Sequence, residues 1–184
     1  MAFEGLCSLL QKDTSRLEFH FKEVTNTSIQ LYIKTLDILE KHLESWRFCM
    51  IVIDRNDPNF KKPQNKLEEW EAYLRFTKML LKNNLFIFVK VVLLSDYKRR
   101  PKGKIRELAT LPQVIPNLTD TLKVESQGIL LIQMTDLLIG GELYNGTIQA
   151  KNLIKDKVNH IKQLAGEKKF NRWNVKWKKK STGD

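Results

Sequence analysis

Hydrophobic and polar positions along this chain follow two periods, one near two residues and one near 3.6, and the pattern switches between them several times. From Arg16 to Val24, Leu17, Phe19 and Phe21 fall on one side, with Glu18, His20 and Lys22 on the other. That alternation predicts a half-buried strand or extended segment. Ile29, Ile33, Leu36, Leu39 and Leu43 then recur at helical spacing, with Thr27 or Ser28 able to cap the helix. Phe48 to Ile53 is a continuous apolar run, the mark of a strand covered on both faces in a parallel or mixed sheet, and it stops at Asp54. A polar loop with Pro58 and Pro63 follows. Asn65 and Glu68 then open a helix whose apolar face is Leu67, Trp70, Leu74, Thr77 and Leu81, and Asn83-Asn84 ends it. Leu85 to Leu94 reads as a second apolar strand, closed by Ser95-Asp96.

The second half continues the alternation. Lys98 to Gly103 is a basic loop, and Leu111 to Val124 carries Pro112 and Pro116, which leaves room only for a short strand at Leu122 to Val124. Gly128 to Tyr144 has helical spacing, with Leu131, Met134, Leu138 and Gly141 on one side and Asp136 on another. Gly140 and Gly141 allow another backbone to approach closely, or end the helix. Thr147 to Ala165 is a further helix, with Ile148, Leu153 or Ile154, Val158 and Ile161 on its apolar face and Gly166 as its stop. Glu4 to Gln11 suggests a short helix, and Phe170 to Trp177 a weakly alternating edge strand. Strands alternating with helices predict an α/β domain with a mixed sheet. No linker or repeat interrupts it, so residues 1–166 are expected to form one domain, followed by a basic strand or tail over 167–184.

Charge changes this picture more than composition does. The chain has 184 residues and a net charge of +11, which favours polyanionic partners. Lys98, Arg99, Arg100, Lys102, Lys104 and Arg106 form one basic cluster. Lys168, Lys169, Arg172, Lys176, Lys178, Lys179 and Lys180 form another, interleaved with Trp173 and Trp177. Basic side chains beside aromatic ones suit phosphates and stacked bases; a solvated tail whose tryptophans pack on the domain is the alternative. No apolar run reaches the roughly 18 residues that a membrane span requires, and no secretory leader opens the chain. Two cysteines without metal-ligand spacing, Cys7 and Cys49, fit reduced thiols in a cytoplasmic protein.

Three carboxylates stand out. Asp54 and Asp96 each close an apolar strand, and ligands of α/β sheets bind outside the carboxyl ends of the strands. Asp136 interrupts an apolar helix, where an acid is costly unless it is paired or binds a metal. Aspartates suit Mg²⁺ or Mn²⁺, and two such ions can drive phosphodiester hydrolysis. Asp54, Asp96 and Asp136 are therefore candidate catalytic and metal-binding residues, with Glu125 in reserve and Gln133 placed to orient a carboxylate or phosphate. Each aspartate also has a plainer reading, as a turn former or helix cap. The histidines, His20, His42 and His160, are far apart and fall on polar faces. Neither a glycine-rich phosphate loop nor a zinc-type cluster is present.

At these residues the chain resembles a bacterial family catalogued as domain of unknown function 3800. Leu131-Ile132-Gln133-Met134-Thr135-Asp136-Leu137-Leu138-Ile139-Gly140 is similar to its Leu-Gln-x-Ala-Asp-Leu helix, and Glu125-Ser126 to its short acidic-Ser segment. Phe19 to Lys22 with the helix after it, Met50 to Arg55, and Val91 to Asp96 resemble its successive strands. The resemblance implies a ribonuclease H-like mixed sheet flanked by helices, and a metal-dependent nuclease-type domain acting on nucleic acid. Its opening strand, ending Asp-Glu-Ser-Gly, has no counterpart in Met1 to Leu17. The chain is thus expected to lack the N-terminal part of the fold, and a nucleic-acid-binding or accessory module without activity is the alternative expectation.

Overall fold

The computed structural model describes residues 19–54, 56, 68–85, 89–96, 102, 108–125 and 129–175. Among them are four α-helices, α1 (Ile29–Lys41), α2 (Glu69–Asn84), α3 (Leu130–Leu143) and α4 (Gln149–Ala165). The strands are β1 (Phe48–Val52), β2 (Val91–Asp96), β3 (Leu118–Val124) and β4 (Phe170–Asn174). The chain is mixed α/β. β1 pairs with β4 and β2 with β3, in two small parallel sheets. Phe48 N–H donates to the Lys169 carbonyl and Val175 N–H to that of Val52, which sets the β1–β4 register. The expected helix over Glu4 to Gln11 and the polar loop after Asp54 lie outside the described residues, apart from Asn56 in that loop.

The chain gathers into two compact units, each drawn from separate stretches of sequence. The first comprises Met1–Phe48 and Val124–Asn171, the second Cys49–Lys123 and Arg172–Asp184.

In the first unit α4 packs against both α3 and α1. The apolar stripe of α4 is Ile154, Val158 and Ile161, all fully buried beside Leu36 and Leu137. Each such side chain contributes roughly 1.5–3 kcal/mol by leaving water. Ile148 and Leu153, expected on this stripe, point to solvent instead. The stripe is set by the three- and four-residue steps from Ala150 through Ile161, and Leu153 lies off that line. Gly141 brings α3 close to α4, since a Cβ there would stand 2.6 Å from Val158 Cγ2. α4 ends where expected, at Gly166, at positive φ with an extended ψ (φ 67°, ψ 172°). Lys157 on α4 reaches the carboxylates of Asp37 and Glu40 on α1 and ties the two helices by charge.

The second unit centres on Leu108, Leu111, Ile115 and Leu118, covered by Tyr73, Leu74 and Leu81 of α2 and by Val91 and Leu93 of β2. β3 runs from Leu118, longer than expected. Pro112 falls inside a 3-10 helix (Leu108–Gln113) that precedes it and does not interrupt the strand. β2 begins at Val91, not Leu85. The Cys49 thiol donates to Asn84 Oδ1 at 2.9 Å, and Asn84 Nδ2 donates to the Leu80 carbonyl, so the end of α2 is held to β1.

Candidate functional site

α3 explains Asp136. The helix is apolar on nearly every side, and its buried face carries Gln133, Met134, Leu137, Leu138 and Gly141. Leu131, expected among the buried positions, is exposed. The segment from Phe19 to Glu23 lies along this helix. Of the expected strand or extended segment, residues 16–18 lie outside the described residues and His20 is extended, while residues 21–23 form a 3-10 turn, and two of the segment's backbone N–H groups find side-chain acceptors where a strand would find a ladder. Phe19 N–H donates to Gln133 Oε1 at 3.0 Å, and Phe21 N–H donates to Asp136 Oδ2 at 2.9 Å. Buried backbone donors require partners, and Gln133 and Asp136 of α3 supply them.

Aromatic contacts complete the seat. Phe19 is buried edge-on against Tyr32, and Phe21 meets the Tyr144 ring at 5.4 Å. Gly140 clears the space for Phe21, because a Cβ there would lie 2.1 Å from Phe21 Cγ. Lys151 crosses the Phe21 ring with its ammonium 5.5 Å from the centroid and donates to the Lys22 carbonyl. Burial pushes the Tyr32 hydroxyl above its ordinary value, the Glu23 carboxylate adds to the rise, and a hydrogen bond with the His20 backbone opposes it.

His20 does not stand alone at the surface, as its polar face suggests. Its Nδ1 is 3.5 Å from Asp136 Oδ2, with about a quarter of its side chain exposed. A carboxylate so placed can orient an imidazole, but the same oxygen already accepts the Phe21 N–H. No sequence signal announces this pairing, because His20 and Asp136 are joined only by the packing of Phe19 and Phe21 on α3.

Asp54 and Asp96 belong to the second unit, Asp136 to the first. Asp54 is exposed, and its Oδ1 accepts the Asn56 N–H at 2.8 Å, the local turn that an aspartate after a strand commonly makes. Asp96 is exposed at the carboxyl end of β2. Beside it the buried Ser95 Oγ makes no hydrogen bond of good geometry among the described residues. Burial raises the Tyr73 hydroxyl above its ordinary value; the nearby Ser95 hydroxyl opposes that rise and the Asp96 carboxylate adds to it. Glu125 is exposed after β3.

Among the described residues of either unit, no group of three or more His, Cys, Asp or Glu side chains is placed to hold a metal ion. Asp136 Oδ2 and Asp54 Oδ1 each accept one backbone N–H.

The expected phosphate contacts are only partly described. Lys98, Arg99, Arg100, Lys104, Lys176 and Trp177 lie outside the described residues. Lys102 and Lys168 are exposed, and Arg172 is exposed on β4 with its Nε donating to Asn174 Oδ1. Trp173 is half-buried. The Lys169 ammonium is held by the Leu43 carbonyl at 2.8 Å, which directs it to the chain itself. No helix among the described residues is long and apolar enough to cross a membrane. Compared with known proteins, the chain matches no family model, no curated protein and no solved structure.

Proposed function

We propose that this chain is a nucleic-acid-binding module of ribonuclease H-like type that holds its ligand without cutting it. The observation that carries the reading is the net charge of +11. An excess of this size draws a polyanion by counterion release and makes its binding steeply dependent on salt. The α/β order and the parallel pairing of the strands are compatible with the ribonuclease H-like arrangement that the helix around Asp136 resembles. The lack of catalysis rests on Asp136 and Asp54, whose carboxylates serve the backbone. Two thiols without metal spacing fit a place in the cytoplasm.

A second reading, a nuclease dependent on Mg²⁺ or Mn²⁺, is favoured by Asp96 alone. It is an exposed carboxylate at the carboxyl end of a strand in a parallel pair, beside a buried hydroxyl.

The test is one titration and one incubation. Labelled single-stranded and duplex DNA and RNA are titrated with the full chain at several salt concentrations, then incubated with it in Mn²⁺ or EDTA. Salt-sensitive binding with intact oligonucleotides is the expected result. Cutting that requires Mn²⁺ and disappears in Asp96→Asn would replace it with the second reading. Absence of binding to every oligonucleotide at low salt would remove both.

A further inference from the structure

The positive charge is divided unequally between the two units. The segments of the first hold twelve Lys and Arg against twelve Asp and Glu, whereas those of the second hold twenty against nine. The whole excess of the chain therefore belongs to residues 49–123 and 172–184. A polyanion is drawn to the unit that carries the field.

Within the second unit, α2 sorts its charges along its length. Glu69 and Glu71 occupy the first turn, where they complement the positive end of the helix dipole. Arg75, Lys78 and Lys82 follow at steps of three and four, which places them on one face. That face flanks the side of the helix that carries the buried Trp70 and the side chains that cover the core, Tyr73, Leu74 and Leu81, with Lys78 nearest to it. Arg75 and Lys82 are exposed and Lys78 is half-buried. None of the three makes a hydrogen bond or ion pair with a described residue. Other cations of the protein are engaged, Lys157 with Asp37 and Glu40, and Lys162 with Glu142. Like charges three and four residues apart destabilise a helix by a few tenths of a kcal/mol per pair. Glu71 stands four residues before Arg75 on the same side and offsets part of the repulsion there, whereas Lys78 and Lys82 have no acidic residue of α2 three or four positions away. The row is about 10 Å long at 1.5 Å per residue. The charges of one nucleic acid strand recur about every 3.4 Å along the axis, so the row can meet more than one phosphate.

We propose that the second unit grips nucleic acid and that Arg75, Lys78 and Lys82 on α2 form a contact row for its phosphate backbone. The proposal rests on the reading of the chain as a nucleic-acid-binding module and adds a site separate from the basic clusters after β2 and at the end of the chain. The row reads backbone charge and carries no base specificity.

The test compares two triple variants of the full chain by fluorescence anisotropy with a labelled duplex at four salt concentrations. One is Arg75→Gln, Lys78→Gln, Lys82→Gln. The other, Lys34→Gln, Lys41→Gln, Lys155→Gln, removes the same charge from the first unit. Glutamine keeps helix propensity close to that of lysine and arginine, and circular dichroism verifies that both variants fold. For the α2 triple, the slope of log affinity against log salt becomes shallower by about 2 to 3, because each phosphate that is no longer neutralised removes about 0.9 from it. The first-unit triple keeps the parent slope. The site is overturned if the α2 triple keeps the parent slope, or if both triples flatten it equally. It is also overturned if phosphatidylserine vesicles bind the parent as tightly as the duplex and lose as much in the α2 triple, since the face then recognises anionic surfaces in general. A parent chain that binds no nucleic acid overturns the functional reading together with the site. A parent that binds while the α2 triple is unchanged overturns the site alone.

Discussion

Gln133 and Asp136 stand one turn apart on α3, and each gives a side-chain oxygen to the backbone N–H of alternate residues, Phe19 and Phe21, in a segment more than a hundred positions away. The two acceptors replace the strand ladder that the alternation of Leu17, Phe19 and Phe21 predicts. The polar residues that interrupt the apolar helix thus have a structural task, and its consequences are measurable.

Asp136→Ala leaves the Phe21 N–H without its acceptor. A part-buried donor stripped of its partner costs about 1–3 kcal/mol, with the lower end expected because about half of the Asp136 side chain is exposed. Asp136→Asn keeps an acceptor oxygen at the same place and should lose less than half as much. Urea unfolding gives both values from the midpoint at constant slope. An equal loss in the two variants would mean that the charge facing His20 matters more than the bond to Phe21. Neither change should alter affinity for nucleic acid, because Asp136 has no part in the proposed grip.

Gly140→Ala should destabilise the first unit even though alanine is favoured over glycine within a helix by about 1 kcal/mol. The added Cβ would fall 2.1 Å from Phe21 Cγ, against the base of the ring. Overpacking of this kind costs typically about 1–3 kcal/mol. The cause is checked by a double-mutant cycle. In a Phe21→Ala background the same Gly140→Ala change should become neutral or stabilising, since contacting residues are not additive. If the cost persists without the ring, the clash is not its source.

Lys157 links stability to alkaline pH. Burial alone would lower its value, but the carboxylates of Asp37 and Glu40 outweigh burial and raise it above the ordinary lysine value. A group whose value is raised on folding stabilises the fold fully below its unfolded value, about 10.4, and the contribution is lost as pH rises through the higher folded value. Lys157→Met keeps most of the stem and removes the charge. It should cost about 1 kcal/mol near pH 8, at the upper end for partly exposed pairs, and the gap from the parent should close as pH rises above the unfolded value of about 10.4 and through the higher folded value. A gap that stays constant with pH would assign the loss to packing of the stem.

Much of the fold was legible in periodicity. α1, α2, α3 and α4 fall within a few residues of their expected limits, because each pairs a continuous apolar stripe with a terminating signal such as Asn83-Asn84 or Gly166. The segment from Phe19 to Glu23 was not legible. Its alternation describes which side chains are buried, and that is the same whether the backbone pairs with a strand or with Gln133 and Asp136. The start of β2 was missed for a related reason, since the apolar run from Leu85 contains no signal for where pairing with β3 begins. For the candidate site, sequence identified Asp136 as unusual without disclosing why. An acid within an apolar helix signals that a partner exists, and the partner here is a backbone N–H that has no side-chain signature. The turn at Asp54 was legible as the plainer of its two readings. The row on α2 was not singled out from the sequence, since its lack of ion-pair partners among the described residues emerges only when the helix is placed.

Gly166 isolates a backbone effect from a packing effect. It ends α4 at φ 67°, and a Cβ there would meet nothing within 4 Å. Any loss on substitution therefore reflects the combination of positive φ with extended ψ (172°), which only glycine adopts readily and which costs an L-residue roughly 1–3 kcal/mol. Its N–H donates to the Lys162 carbonyl, and its own carbonyl accepts from Lys169 and Phe170, so the conformation is fixed from both sides. The chain cannot relax away from the strain without releasing those bonds and the first residue of β4. Gly166→Ala should thus lower stability by about 1 kcal/mol and Gly166→Val by more, because a β-branched residue is poorer still at positive φ. Gly166→Asn should lose about as much as alanine, since asparagine tolerates the left-handed helical region but not an extended ψ of 172°. Thermal unfolding of the three variants checks that asparagine and alanine lose alike and valine most. Should alanine prove neutral, the turn after α4 would have to adopt another conformation in solution. The Phe48 N–H bond to the Lys169 carbonyl, which starts the pairing of β1 with β4, would then be the next contact to examine.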